Sequence, residues 1–271
     1  MTEVTDAFAE VRRDLAAEHA DLDAIVAGID EMTWGLGTPA PGWSVADQIA
    51  HLAFFDVRAT EALEDPDRFA AVVAAMQAGG GLETWIEGHL DELRDMSRAE
   101  LVAWWRESRA SMLAALEAID PVRRVPWYGP PMGAVSFASA RLMETWAHGQ
   151  DVADTLGVTR LPTARLHHVA HLGVRALPWS FIVHGLDVPD VDVRVELRSP
   201  DRDLWVWGDD EAVDVVRGTA LDFCLVVTQR RHPDDLRLDV QGPVAGRWIG
   251  IAQAFAGPPG PGRVPGQFRE S

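Results

Sequence analysis

The stretch A-R-L-M-E-T-W-A-H-G-Q-D-V-A-D-T-L-G at 140–157 decides how this chain is read. It forms most of a predicted helix running from about Ser136 to Leu156 and ending at Gly157, a residue type suited to the left-handed position just past a helix. Within it Glu144 and His148 are four apart, so their side chains share one face about a turn from each other. That spacing suits two ligands of one ion, although E-x-x-x-H alone is a common pattern.

Working outward, three more long helices are predicted. Apolar residues between Val4 and Met32 (Phe8, Val11, Leu15, Leu22, Ile25, Ile29) recur at three- and four-residue steps, and the Gly- and Pro-containing segment Gly35 to Gly42 ends that helix. Ser44 then reads as an N-cap with Asp47 in the capping-box position, starting a helix through His51 and Phe55. Residues 66–95 are helical with a break at the glycines 79–81. Ser97 and Glu100 repeat the capping box ahead of the stripe Leu101, Trp104, Trp105, Met112, Leu113 and Leu116, which stops before Pro121. The segment V-P-W-Y-G-P-P-M-G at 125–133 is too rich in Pro and Gly for a helix or central strand and is read as a packed loop. Four long helices with one extended connection make residues 1–160 a four-helix bundle.

After Leu161-Pro162 the texture changes. A helix over roughly Ala164 to Val183 leads to two segments of period-two character, Val191 to Leu197 and Leu204 to Trp207. A helix over Gly218 to Arg231, a strand Leu236 to Val240 and a last helix near Trp248 to Phe255 complete a small α+β domain over 161–256. The Pro- and Gly-rich tail 257–271 is expected to be disordered. The fold class is therefore α+β, a helical bundle followed by a smaller mixed domain.

Composition narrows the chemistry. The 271 residues carry a formal charge of −18, which repels a phosphate backbone and makes nucleic acid a poor partner. All 24 basic residues are arginine, so lysine-dependent mechanisms (a Schiff base, a phosphate-loop lysine, a Ser/Lys dyad) are excluded. No G-x-S-x-G or G-x-G-x-x-G stands between a strand and a helix, leaving a serine-hydrolase elbow and a dinucleotide fingerprint unsupported. No apolar run approaches a bilayer span, and the N-terminus lacks the basic start of a signal peptide, so a cytoplasmic protein without membrane contact, monomer or homodimer, is expected. The single cysteine, Cys224, lies in the apolar stretch Ala220 to Val227 and is read as a buried structural thiol.

His51 sits mid-helix among Ile49, Ala50, Leu52 and Phe54, so it is expected to point into the bundle and to need a satisfying contact there. From spacing alone two readings stand: a core histidine bonded to a carboxylate such as Glu144, or a metal shared by His51, Glu144 and His148. Two histidines and one carboxylate leave coordination positions open, which is the pattern of a reactive site. His167, His168 and His171 also have chelating spacing but no carboxylate, and surface or interface histidines are the plainer reading. Asp151, on the same face as Glu144 and His148, could accept the free ring N–H of a histidine and fix its tautomer. Asp47 could do this for His51 or simply cap its helix, and Gln150 is expected to face elsewhere.

G-W-S-V-A-D-Q-I-A-H-L at 42–52 and the stretch at 140–157 together resemble the two defining segments of the mycothiol-dependent maleylpyruvate isomerase family, within the wider DinB-like helical bundle group. The resemblance implies a zinc or other divalent ion on His51, Glu144 and His148, and mycothiol, a sugar-linked thiol, as co-substrate. The run V-R-G-T-A-L-D-F-C-L-V-V-T-Q-R-R at 216–231 resembles more loosely the family's C-terminal domain, related to sterol-carrier-like folds. It implies that a basic residue, Arg217, Arg230 or Arg231, holds an anionic substrate. The Pro-rich segment around Trp127-Tyr128 and the run Arg230-Arg231-His232 depart from the family pattern.

The implied activity is a metal-dependent S-transferase or cis-trans isomerase acting with a thiol on a small electrophile. Two alternatives are a hydrolase using metal-activated water, with Asp151 as its base, and a non-enzymatic module binding metal or a small ligand.

Overall fold

A computed structural model describes residues 2–268, so Arg269 to Ser271 of the tail lie outside the described residues. The chain divides into two compact units, Met1–Arg160 and Leu161–Ser271. Among the described residues no helix is long and apolar enough to cross a membrane.

The first unit contains α1 (Thr2–Ala27), α2 (Glu31–Trp34), α3 (Val45–Glu64), α4 (Pro66–Ala78), α5 (Leu82–Leu93), α6 (Arg98–Ala118) and α7 (Ala134–Leu156). Between α6 and α7 a short hairpin pairs β1 (Arg124–Val125) with β2 (Met132–Gly133), a two-residue ladder inside what sequence alone gave as loop. α1 stops at Ala27, short of the expected Met32, because Gly28 follows and Asp30 starts a separate turn by accepting the Thr33 N–H at 2.8 Å. The capping boxes form as expected. Asp47 Oδ2 accepts the Ser44 N–H at 2.8 Å, and Glu100 Oε2 accepts that of Ser97 at 2.9 Å. Gly157 ends α7 at φ 64, in the left-handed region.

α3 packs against α6 and α7, and α1 against α7. Leu22, Val26, Ile49, Leu52, Leu101, Trp105 and Val152 meet in one buried cluster. Burying each such side chain contributes roughly 1.5–3 kcal/mol, and this gain offsets the charges the bundle also buries. Chief among these is the pair Arg141–Asp56, with Nη2 2.9 Å from Oδ1 and both side chains nearly closed to solvent. Desolvation raises the Asp56 carboxyl, while the guanidinium opposes that shift.

The second unit contains α8 (Leu166–Arg175), α9 (Leu177–Val183), β3 (Val193–Arg198), β4 (Leu204–Trp207), β5 (Asp214–Thr219), α10 (Ala220–Val227), β6 (Asp239–Gln241) and α11 (Pro243–Ile249). The sheet order is β4-β3-β5-β6, with β3 and β5 parallel and the outer pairs antiparallel. The single helix expected over 164–183 is two, because Pro178 has no N–H to continue the ladder past Ala176. β5 was not foreseen: D-V-V-R-G-T lacks alternation, and Gly218 has no side chain because a Cβ there would stand 2.4 Å from Leu238 Cδ2. The helix expected from Gly218 therefore starts later, capped by Thr219, and ends at Val227 rather than Arg231. α11 begins earlier than expected, where Asp214 Oδ1 accepts the Val244 and Ala245 N–H groups at 2.7 and 2.8 Å. Beyond Gly257 the chain is irregular but makes contacts as far as Phe268. Asp235 accepts the Gly266 N–H at 2.8 Å, and the Arg231 guanidinium lies 3.6 Å from the Phe268 ring centre.

Candidate metal centre

Gln48, His51 and Phe55 follow one another along α3 at three- and four-residue steps, so they share a face. α7 supplies Glu144 and His148 opposite. One donor atom each from His51, Glu144 and His148 lies within 4.8 Å of the others, and these are the three residues that converge in this way among the described residues. His148 Nε2 is 3.2 Å and His51 Nε2 is 3.9 Å from Glu144 Oε2. Two atoms each about 2.0–2.1 Å from a tetrahedral ion stand roughly 3.3 Å apart, so the three donors need to move little to share one.

The protonation states fit a cation as well. Burial, and then the neighbouring His148, lowers His51 to about 4, leaving a neutral imidazole with a lone pair at ordinary pH. Burial pushes the Glu144 carboxyl up, but His148 and His51 outweigh it and hold the group well below its ordinary value, as a carboxylate. His148 Nδ1 faces Gln48 Oε1 at 2.5 Å. His51 Nδ1 is buried without a hydrogen-bond partner.

Aromatic rings enclose the imidazoles. Trp43 stacks on His148 with 5.8 Å between centroids and leans on His51 at 5.0 Å, and Phe55 contacts His51 at 4.6 Å. Glu144 is the open side: its side chain is 24% exposed, against 11% for each histidine. The Pro-rich segment adds a further aromatic layer. Tyr128 meets Phe55 at 5.7 Å and Trp127 stacks on Phe69 at 5.5 Å. Desolvation raises the buried Tyr128 hydroxyl, which has no hydrogen-bond partner.

Asp151 is fully buried on α7, but the group at His148 Nδ1 is Gln48, so the tautomer-fixing contact falls to a residue the sequence reading did not select. Asp47 caps α3 and pairs with Arg94 at 3.0 Å, the plainer of its two readings. Gln150 donates to Asp154 at 2.8 Å. In the second unit Arg217 pairs with Glu196 at 2.8 Å, while Arg230 and Arg231 donate to the carbonyls of Thr228 and Arg230 at 2.6 and 2.7 Å. His167, His168 and His171 do not converge: their ring centroids are 6.4 and 6.5 Å apart from His167, and His171 Nδ1 accepts from Trp207 Nε1 at 3.2 Å. Cys224 is buried, as expected, and desolvation holds its thiol well above the ordinary value.

The sequence did offer a signal for Gln48. It is a polar residue three positions before His51, on the face that carries the histidine. Arg141, likewise three before Glu144, could have been found in the same way.

Residues 15–153 match the family model described as the mycothiol maleylpyruvate isomerase N-terminal domain. The chain belongs to this family. Among its relatives are two uncharacterized proteins of Mycobacterium tuberculosis, Rv0036c and MT0041, each 48% identical over 250 residues, covering 92% of this chain and 96% of theirs. Crystal structures of the mycothiol-dependent maleylpyruvate isomerase and of a histidine-to-alanine mutant share the fold with a TM-score of 0.59. They are 14% identical, covering 87% of this chain and 95% of that one. As a member of the mycothiol maleylpyruvate isomerase family, the chain carries its candidate centre inside the segment that defines the family, since His51, Glu144 and His148 all fall within the match.

Proposed function

We propose that this protein is a metal-dependent enzyme that uses mycothiol as nucleophile on a small electrophile, ending in S-transfer or cis-trans isomerisation. The observation that carries this reading is the convergence of His51, Glu144 and His148, open on the Glu144 side, in a chain of this family. A divalent ion, zinc or a similar one, held by these residues would supply Lewis acidity that makes a thiol a thiolate at neutral pH. The remaining work belongs to the chain. As ligands the two imidazoles would offer lone pairs without adding charge, and Glu144 would supply the one negative charge. Trp43 and Phe55 cover the imidazoles and keep water from their faces. The hydrolase alternative asks Asp151 to act as base on a metal-bound water, and Asp151 is fully buried on α7.

Calorimetric titration of mycothiol into metal-loaded and chelator-stripped protein tests this reading. Binding is expected only to the loaded form, with release of a proton and tighter binding as pH rises toward the free thiol's pKa. Equal binding to both forms would end it.

The substrate's anionic group is assigned to a basic residue of the second unit. The candidates are Arg217, which pairs with Glu196 at 2.8 Å, Arg230 and Arg231. Arg230→Ala or Arg231→Ala is expected to raise KM for an anionic electrophile about 10- to 100-fold, the equivalent of a charged hydrogen bond of roughly 1.5–3 kcal/mol, with zinc content unchanged. An unaltered KM in both variants would remove these arginines from the site.

A further inference from the structure

The loop before α3 ends in a hydrogen-bond chain that reaches His148. Thr38 Oγ1 lies 2.9 Å from the Trp43 carbonyl, Gln48 Nε2 lies 2.9 Å from Thr38 Oγ1, and Gln48 Oε1 lies 2.5 Å from His148 Nδ1. A carbonyl only accepts, so the one Thr38 hydroxyl proton goes to Trp43. Toward Gln48, Thr38 can then only accept, which requires the amide to present its NH2 there and its oxygen to His148. That oxygen cannot donate, so His148 Nδ1 must carry the proton. With Nδ1 committed as the donor to Gln48, Nε2 is the nitrogen left to face Glu144 Oε2, 3.2 Å away, and the one available to an ion.

We propose that Gln48, oriented by Thr38, is a positioning residue that locks His148 in the Nδ1–H tautomer and thereby keeps Nε2 free as a metal ligand. The free imidazole prefers the opposite tautomer, so the chain selects the less common form. Were the chain reversed, with Thr38 donating to Gln48 and the Gln48 amide donating to His148, Nε2–H would donate to Glu144 and close the site as an ordinary core hydrogen bond. The direction of three hydrogen bonds thus decides which ring nitrogen of His148 is committed to Gln48 and which is left for an ion. The loop that supplies the chain is itself fixed. The Thr38 N–H also donates to the Trp43 carbonyl at 2.7 Å, Val45 N–H donates to the Leu36 carbonyl at 3.0 Å, and Gly37 bridges Ser44. The same loop places the Trp43 ring on His148, so tautomer and ring orientation are set from one short segment.

The tautomer assignment does not require a metal, whereas its effect on affinity rests on the metal reading above, and the test separates the two. Nitrogen-15 NMR of the imidazoles in metal-free protein is expected to show His148 protonated at Nδ1 in the wild type. In Gln48→Leu that proton should move to Nε2, facing Glu144. Competition with a chromophoric chelator is expected to show zinc affinity falling about 10- to 100-fold in Gln48→Leu, the usual loss when such a supporting partner is removed. Gln48→Glu keeps an acceptor opposite Nδ1 and should restore most of that affinity. Thr38→Val frees the amide to turn over and should cost less than Gln48→Leu but more than Gln48→Glu. A wild-type His148 protonated at Nε2, or a folded Gln48→Leu variant binding zinc as tightly as wild type, overturns the proposal. A wild type with the expected tautomer but no zinc affinity would leave the positioning role intact and defeat the metal reading instead.

Discussion

His51→Ala, Glu144→Ala and His148→Ala are each expected to reduce bound zinc from close to one equivalent per chain to near zero, as read by elemental analysis of gel-filtered protein. The three protein donors are all that converge at the centre among the described residues, so losing one leaves two donors and an exposed ion. Glu144→Ala has a second effect, because it removes the one anionic ligand that would balance the ion's charge. His168→Ala is the control and should leave the metal content unchanged, since the ring centroids of His167 and His168 are 6.4 Å apart. Circular dichroism keeps unfolding from being mistaken for ligand loss. Full retention in any two of the three ligand variants would refute the site.

Acid is expected to destabilise the first unit well above the pH at which carboxylates protonate. His19 on α1 is buried with both ring nitrogens unpartnered, and desolvation, followed by the charges of Arg109 and Arg141, lowers it to about 3 from 6.5. The unfolded chain therefore takes up a proton below about pH 6.5 that the folded protein refuses. The stability this confers is complete above pH 6.5 and is lost as pH falls toward 3, at up to about 1.4 kcal/mol per pH unit. Between pH 6.5 and 5 this amounts to roughly 2 kcal/mol from His19, before ion-paired carboxylates such as Asp23 enter. Urea unfolding at the two pH values should show His19→Leu recovering that part of the loss. An identical pH dependence in wild type and variant would contradict it.

The bundle was legible because its signals are local. The capping boxes at Ser44 and Ser97 rest on contacts three residues apart, and Gly157 marks the end of α7 by its own backbone preference. The ligand spacing on α7 was readable for the same reason, as was the placement of His51 on the inner face of α3. What sequence could not supply was the partner across the helix interface. Nothing in the spacing ties Gln48 to a histidine a hundred positions on, or Asp56 to Arg141, because both contacts exist only once α3 and α7 pack. In the second unit β5 escaped notice because its register is set by β3 and β6 beside it rather than by its own alternation. Asp214 on β5, acting as the cap of α11, shifted that helix toward the N-terminus for the same non-local reason.

Thiol activation at the centre is tested by replacing the metal with cobalt and adding mycothiol. A thiolate on cobalt adds a sulfur-to-metal charge-transfer band in the near ultraviolet. That band is expected in the wild type at millimolar mycothiol, growing with pH as the thiol proton is released, and is expected to be absent in His148→Ala. Cobalt-loaded, folded wild-type protein that shows no such band at millimolar thiol would contradict thiol activation at this site.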